Sequence, residues 1–469
     1  MVFANLIFLY LFFPANLILY FLTKNQTYRN VVLIGFSLFF YAWGEPVWIV
    51  LLLFSGTIDY FHGLLLERWE GKKIRILPLI SSIVLNLGLL MTFKYSGFIM
   101  TNVNLLTGLD LPVPGFMLPI GISFYTFQTL SYTVDVYRHD VRAQHNVILF
   151  MLFVSLYHRL VAGPIVRYTE IAHELGDEKP TFEGMSAGIS RFCVGLVKKV
   201  VVANYAGKLA GQYLAGDISG LAVADAWFGI LMFSIQIYYD FSGYSDMALG
   251  LGRMFGNHYY ENFNYPYIAK SAGEFWRRWH ISLSGFFRDY VYIPLGGNRK
   301  LVYRNLLVVW FLTGLWHGAS WNFVCWGLYY GLLIAVERLF LGGLLKKAPA
   351  VITHIYMIFI TLLGWTLFYF EDFGRLGEML SAMFGVGERP LWDMELGFVL
   401  MNNLFWLLLV FAFCVPLLPW IKSKLYTDAP AWRVTWLTYA QSAACIVMLA
   451  LSTAMLVGES YNPFLYFKF

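Results

Sequence analysis

His280 and His317 are the two side chains whose sequence surroundings suit catalysis. His280 closes the basic, aromatic run Glu274-Phe275-Trp276-Arg277-Arg278-Trp279. His317 sits in Thr313-Gly314-Leu315-Trp316-His317-Gly318, between tryptophans and glycines that let another backbone or a ligand come close. An imidazole buried among Leu315, Trp316, Trp321 and Phe323 has its charged form disfavoured, and a neutral imidazole is a competent general base. Packing, metal ligation and proton relay are the other roles open to a lone histidine in an apolar run. Read by itself, His280 is a positioning or hydrogen-bonding residue rather than the base. The cations Arg277, Arg278 and Arg288, interleaved with Trp276, Trp279, Phe286 and Phe287, suit either the phosphates of an anionic donor or lipid headgroups.

These residues need elements to hold them. Glu274 to Phe287 is too charged for hydrocarbon and too aromatic for a free loop, so a re-entrant or interfacial helical hairpin is expected. Upstream, Tyr238-Tyr239-Asp240-Phe241-Ser242-Gly243-Tyr244-Ser245-Asp246 puts two acids among hydroxyls. Acids are costly in lipid, which predicts a protein-lined chamber. The helix expected over Leu118 to Val136 carries Ser123, Thr126, Gln128, Thr129, Ser131 and Asp135, and should face an interior cavity. His158-Arg159 beside Ala162-Gly163-Pro164 predicts a break or re-entrant turn where polar groups meet water. Met185 to Leu214 is amphipathic, with Arg191, Lys198, Lys199 and Lys208, and part of it is expected at the membrane surface. Asp59, close to His62, reads as an interfacial or helix-packing polar residue.

Composition sets the class of the housing. A chain of 469 residues that is 59% hydrophobic and 13% charged has too little polar surface for a soluble globule of its size. Its mean hydropathy of +0.62 agrees. The expectation is an all-α polytopic membrane protein with ten or eleven crossings, plus re-entrant and interfacial helices around a central catalytic cavity. One integral domain over residues 1–469, with a catalytic segment at 257–325, is the economical reading. Met1 to Leu22 reads as a retained first helix, because it has no basic leader and no small-residue cleavage pattern. Lys24 and Arg29 after it, and Arg68, Lys72, Lys73 and Arg75 later, mark cytoplasmic edges and put the N-terminus outside. A formal charge of +5 without a soluble basic domain gives no support to nucleic-acid binding. The four cysteines are scattered in apolar segments, and no histidine pair has a zinc-binding spacing backed by carboxylates, so neither a disulfide framework nor a metal site is expected. Three function classes fit these features: an acyltransferase, a polytopic transporter and a membrane scaffold.

Several longer segments narrow the choice. Asn262-Phe263-Asn264-Tyr265-Pro266-Tyr267, Glu274 to Ser284, Phe287 to Arg299, Leu315-Trp316-His317-Gly318 and Asn462-Pro463-Phe464-Leu465-Tyr466-Phe467 together resemble the membrane-bound O-acyltransferases. Within them, the chain is similar to the branch of alginate O-acetyltransferase and peptidoglycan acetylation membrane subunits. The D-alanyl transfer subunit of teichoic acid modification is a close relative. One departure is that His158-Arg159 stands where that branch usually carries Pro-Gln. The resemblance implies that His317 is the catalytic histidine and His280 the second characteristic one. It implies cytosolic acetyl-CoA as donor substrate, with no permanently bound cofactor, and an extracytoplasmic polysaccharide as acceptor. It also implies a periplasmic partner of the SGNH serine-esterase type and residence in a bacterial cytoplasmic (inner) membrane, in contact with lipid. Arg277, Arg278, Trp279, Asp240, Tyr244, Asp246 and Asn322 are the residues expected to line or orient the substrate site.

Overall fold

The computed structural model describes residues 1–160, 163–172, 174, 176, 179–458 and 464–465. Ala162, His173 and most of the C-terminal Asn462-Pro463-Phe464-Leu465-Tyr466-Phe467 run lie outside the described residues. Among those described there are α-, 3-10 and π-helical segments and no strand. They group into two compact units, one of Met1–Phe192, Tyr244–Tyr260 and Leu456–Phe469, the other of Cys193–Gly243 and Glu261–Met455.

In the first unit, α1 (Ile49–Arg68), α2 (Ile76–Leu90) and α3 (Ile122–Arg138) pack on one another. Helix α3 buries its polar residues along with its apolar ones, including Gln128, Thr129, Ser131, Thr133 and Asp135. Several of these polar groups meet partners on the neighbouring helices, as the cost of an unmade buried hydrogen bond requires. Ser82 and Thr133 hydroxyls lie 3.1 Å apart, and Thr129 Oγ1 donates to Asn86 Oδ1 at 3.3 Å. His158 and Arg159 do not meet water as their sequence setting suggests. They sit in the short helix Tyr157–Leu160, fully buried. His158 stacks on Phe255 at 5.3 Å and lies 3.2 Å from the Tyr259 hydroxyl, while Arg159 donates to Phe153 O at 2.6 Å and faces the Phe153 and Tyr259 rings. Aromatic faces and a carbonyl take the place of solvent there.

Helix α4 (Phe182–Val197) continues through a π-helical turn, Lys198–Ala203, and α5 (Val223–Met254) runs for 32 residues. Within the first unit the two cross closely. A Cβ at Gly188 would meet Gly250 O at 2.6 Å, and one at Gly250 would meet Gly188 O at the same distance, so only hydrogen fits at either position. The α4 segment is also less superficial than its amphipathic pattern predicts. Lys199, 5% exposed, is drawn inward by a 2.6 Å ion pair with Asp240.

The second unit carries the hairpin of α6 (Ala272–Arg278) and α7 (Ile281–Phe287), then α8 (Val302–His317), α9 (Trp321–Val336) and α10 (Ala350–Tyr369). Helices α8 and α9 approach at glycines: a Cβ on Gly314 would strike Phe323 O, and one on Gly327 would strike Trp310 O. Among the described residues, five helices are long and apolar enough to cross a membrane: Ile49–Arg68, Lys73–Thr107, Trp321–Lys347, Ala350–Tyr369 and Ala431–Val457. The pair Met394–Asn402 and Leu404–Phe413, bent by 68°, makes a sixth if it is one span. The higher count expected from the sequence takes in runs that fold as shorter helices, such as Phe8–Phe21 and Val147–Ser155, and the polar α5.

Candidate active site

Helix α6 starts with a Ser271 cap, whose hydroxyl accepts from Glu274 N at 3.1 Å, while the Glu274 carboxylate reaches back to Lys270 N at 3.0 Å. It ends at Trp279, where the chain turns sharply. His280 takes left-handed angles, φ 45 and ψ 55, and heads α7. A non-glycine residue there must be held by its surroundings. The hold is Asn262. Its Oδ1 accepts from Ser282 N at 3.2 Å and from Ser282 Oγ at 2.9 Å, and lies 3.2 Å from His280 Nδ1. Its backbone oxygen accepts from Ile281 N at 3.0 Å. An amide oxygen facing Nδ1 places the proton on that nitrogen and the lone pair on Nε2. His280 lies outside the candidate spans and is fully buried, and burial pushes its pKa down to about 3. Asn262 was legible only as part of a motif. The signal that singles it out is a buried amide in an aromatic run, which must find partners.

His317 is the last residue of α8, 4% exposed, and three rings stand edge-on to it: Trp326 at 4.8 Å, Trp316 at 5.0 Å and Phe368 at 5.4 Å. Trp316 also lies 5.7 Å from His280. The two imidazoles therefore belong to one aromatic cluster, with a single indole in contact with both. Phe241 stands edge-on to His280 at 4.7 Å. Asn322, in the first turn of α9, is fully buried, and its amide nitrogen donates to Phe368 O at 3.2 Å and Leu367 O at 3.4 Å. Those bonds tie α9 to the end of α10 beside His317. Its Oδ1 has no partner among the described residues. Trp279 packs on Trp365 at 4.9 Å and Phe263 at 5.1 Å, in the wall of the same cluster.

A cavity of about 920 Å³ opens next to this cluster. Lys270, Arg277, Arg288, Arg338 and Lys346 line it against only two carboxylates, Glu274 and Glu337. Both acids already have donors. Glu274 accepts from Arg278 at 2.9 Å, and Glu337 accepts from the first amides of α6, Ala272 N at 2.6 Å and Gly273 N at 3.1 Å. Arg288 reaches Asp289 at 2.7 Å. The balance of charge facing the cavity is positive. Arg278 is not part of the lining; it is engaged with Glu274 and with Asn264 O at 3.1 Å. Trp276, Trp310 and Thr313 form the wall toward His317. Trp276 lies 5.4 Å from Trp326, which touches His317, and Thr313 is one α8 turn before it.

The remaining expected residues lie elsewhere. Asp240, beside Phe241 on α5, is neutralised by Lys199. Tyr244 and Asp246 fall in the first unit: Tyr244 stacks on Phe3 at 4.5 Å and lies 4.7 Å from the tilted Phe464 ring, and Asp246 accepts from Arg191 Nε at 2.7 Å. The structure thus gathers His280, His317, Trp279 and Asn322 into one cluster with Arg277 in the adjoining cavity.

The stretch that builds this cluster coincides with a known family signature: the family model described as MBOAT, membrane-bound O-acyltransferase family, matches residues 33–370. The chain belongs to the membrane-bound O-acyltransferase family. The match takes in both imidazoles and α6 to α10. Family membership makes the chain a multi-pass membrane enzyme of acyl transfer. Over its whole length it is 36% identical to the whole of a probable alginate O-acetylase, AlgI, of Azotobacter vinelandii. It is 37% identical to the AlgI of Pseudomonas aeruginosa over the full length of both chains. A peptidoglycan O-acetyltransferase of Helicobacter pylori is 30% identical, over all of this chain and 98% of its own length.

Proposed function

We propose that this chain passes acetyl from acetyl-CoA toward a cell-envelope polysaccharide, alginate-like or peptidoglycan, on the far side of a bacterial inner membrane. The carrying observation is the position of a cation-rich cavity one aromatic layer away from His317. A nucleotide with several phosphates suits Lys270, Arg277, Arg338 and Lys346, and a slender thioester arm is the part of such a donor that can pass Trp276 and Trp326. In this reading the cavity opens to the cytoplasm, in line with a basic inner face, and the N-terminus lies outside.

The chemistry assigned to His317 is general base catalysis. The acceptor oxygen attacks the thioester carbon as its proton passes to the imidazole, the C–S bond breaks, and the thiolate leaves and takes up the proton. The Asn322 amide is a candidate to orient the reacting carbonyl. His280, fixed by Asn262, holds Trp316 against His317 and acts as a positioning residue. The final polymer is reached through an extracytoplasmic serine-esterase-like partner.

The test is transfer of labelled acetyl from acetyl-CoA by the purified chain in lipid, with and without such a partner. Transfer that needs acetyl-CoA and weakens on Arg277→Glu or Arg338→Glu supports the reading. Label retained at His317 of the chain alone marks an acyl-histidine route, and transfer only from a D-alanyl carrier excludes acetyl as the group moved.

A further inference from the structure

The first unit holds a second set of chemistry-bearing side chains that the acyl-transfer site does not use. Asp59 and His62 are three residues apart on one face of α1, and Ser81 lies on α2. The His62 Nδ1–H donates to Asp59 Oδ1 at 2.9 Å, and the Ser81 hydroxyl lies 3.1 Å from His62 Nε2. Asp59 is fully buried and its other oxygen accepts from Asn86 Nδ2 at 2.7 Å. Asn86 is fixed in turn: its Oδ1 accepts from Ser55 Oγ at 2.6 Å and Thr129 Oγ1 at 3.3 Å. With both carboxylate oxygens accepting, the Asp59 bond puts the His62 proton on Nδ1. That leaves Nε2 to accept from Ser81 O–H.

We infer that Asp59, His62 and Ser81 form a carboxylate–imidazole–hydroxyl relay that makes Ser81 a nucleophile. A polar staple between helices needs no particular order of atoms. Here the carboxylate faces Nδ1 and the hydroxyl faces Nε2, the order by which an acid orients a base and the base takes a proton from an alcohol. Position favours access as well. Ser81 is half-buried, whereas His62 is 8% exposed. His62 is six residues from the end of α1 and Ser81 five from the start of α2, about 9 and 7.5 Å along the helices. The basic turn between them, closed by Arg75 Nε donating to Leu66 O at 3.0 Å, marks a membrane boundary.

The substrate class is an acyl ester or thioester presented at that boundary. The Ser81 oxygen bonds to the acyl carbon, and its proton goes to His62 Nε2. The C–O or C–S bond of the leaving group breaks, and the departing alkoxide or thiolate takes the proton from His62. The relay lies outside the elements assigned to acetyl transfer and does not depend on that assignment.

The test treats the full chain in lipid nanodiscs with a fluorophosphonate, which forms an O–P bond with an activated serine and expels fluoride. The modified peptide is located by mass spectrometry. The expected result is labelling at Ser81 in the wild type and none there in Ser81→Ala. Labelling should be slower on the order of 10²-fold or more in His62→Gln and in Asp59→Asn, the contribution of a positioned general base. Two results overturn the inference: an unlabelled wild-type Ser81 under conditions that fully label a serine hydrolase added to the same sample, or equal Ser81 labelling rates in wild type and both variants. A structural staple would lower the unfolding temperature of both variants and leave the wild-type serine unlabelled.

Discussion

Asn262 does more at the residue scale than its motif suggests, since one amide oxygen serves Ser282 twice and faces the His280 ring. Asn262→Ala removes the acceptor these groups share. It should cost about 1–3 kcal/mol of stability and lower acetyl transfer, read by thermal unfolding and by turnover at saturating donor. His280 adds a pH signature. Its folded-state pKa of about 3 lies below the ordinary histidine value, so the unfolded chain takes up the proton first as the medium is acidified. Its contribution is complete above about pH 6.5 and is lost as pH falls from there toward the folded value, at roughly 1.4 kcal/mol per pH unit. Between pH 7 and 4.5, the unfolding temperature of the wild type should therefore fall more steeply than that of His280→Asn. Equal slopes would mean that His280 is not buried as the structure has it.

At the scale of elements, the packing of α8 on α9 positions His317. Gly314, Gly318 and Gly327 let Phe323 and the Trp310 carbonyl come within contact of the backbone. Gly327→Ala should push the two helices apart, cost about 1–3 kcal/mol and reduce transfer, whereas Gly377→Ala, with nothing near its Cβ, should be neutral or stabilising. Thermal unfolding and turnover of the pair in parallel check this. Helix packing also divides what the sequence made legible from what it hid. The hairpin around Arg277 and His280 could be read because charge and aromatic content conflict within one short stretch. The fate of Asp240 and Asp246 could not, because the cations that neutralise them, Lys199 and Arg191, stand more than forty residues earlier in a segment whose amphipathic pattern suggested a surface. His158 and Arg159 misled for a similar reason: the rings that replace water around them, Phe255 and Tyr259, are about a hundred residues away.

At the scale of the whole molecule, hydropathy announced a helical membrane protein, and its ten or eleven expected crossings exceed the five helices long and apolar enough among the described residues because they take in shorter helices and the polar α5. The continuous Lys73–Thr107 run gives a check on topology. In sealed vesicles of known orientation, a cysteine replacing Lys72 should react with an impermeant maleimide only from the cytoplasmic side, and one replacing Asp110 only from the opposite side. Reaction of both from one side would refute the assigned crossing. The central claim is that His317 carries out acyl transfer, and the most direct measurement is acetyl transfer from labelled acetyl-CoA by monodisperse wild type and His317→Ala in lipid. The account predicts a loss on the order of 10²–10⁴-fold in the variant, the range for a general base. Transfer by well-folded His317→Ala at the wild-type rate would contradict it.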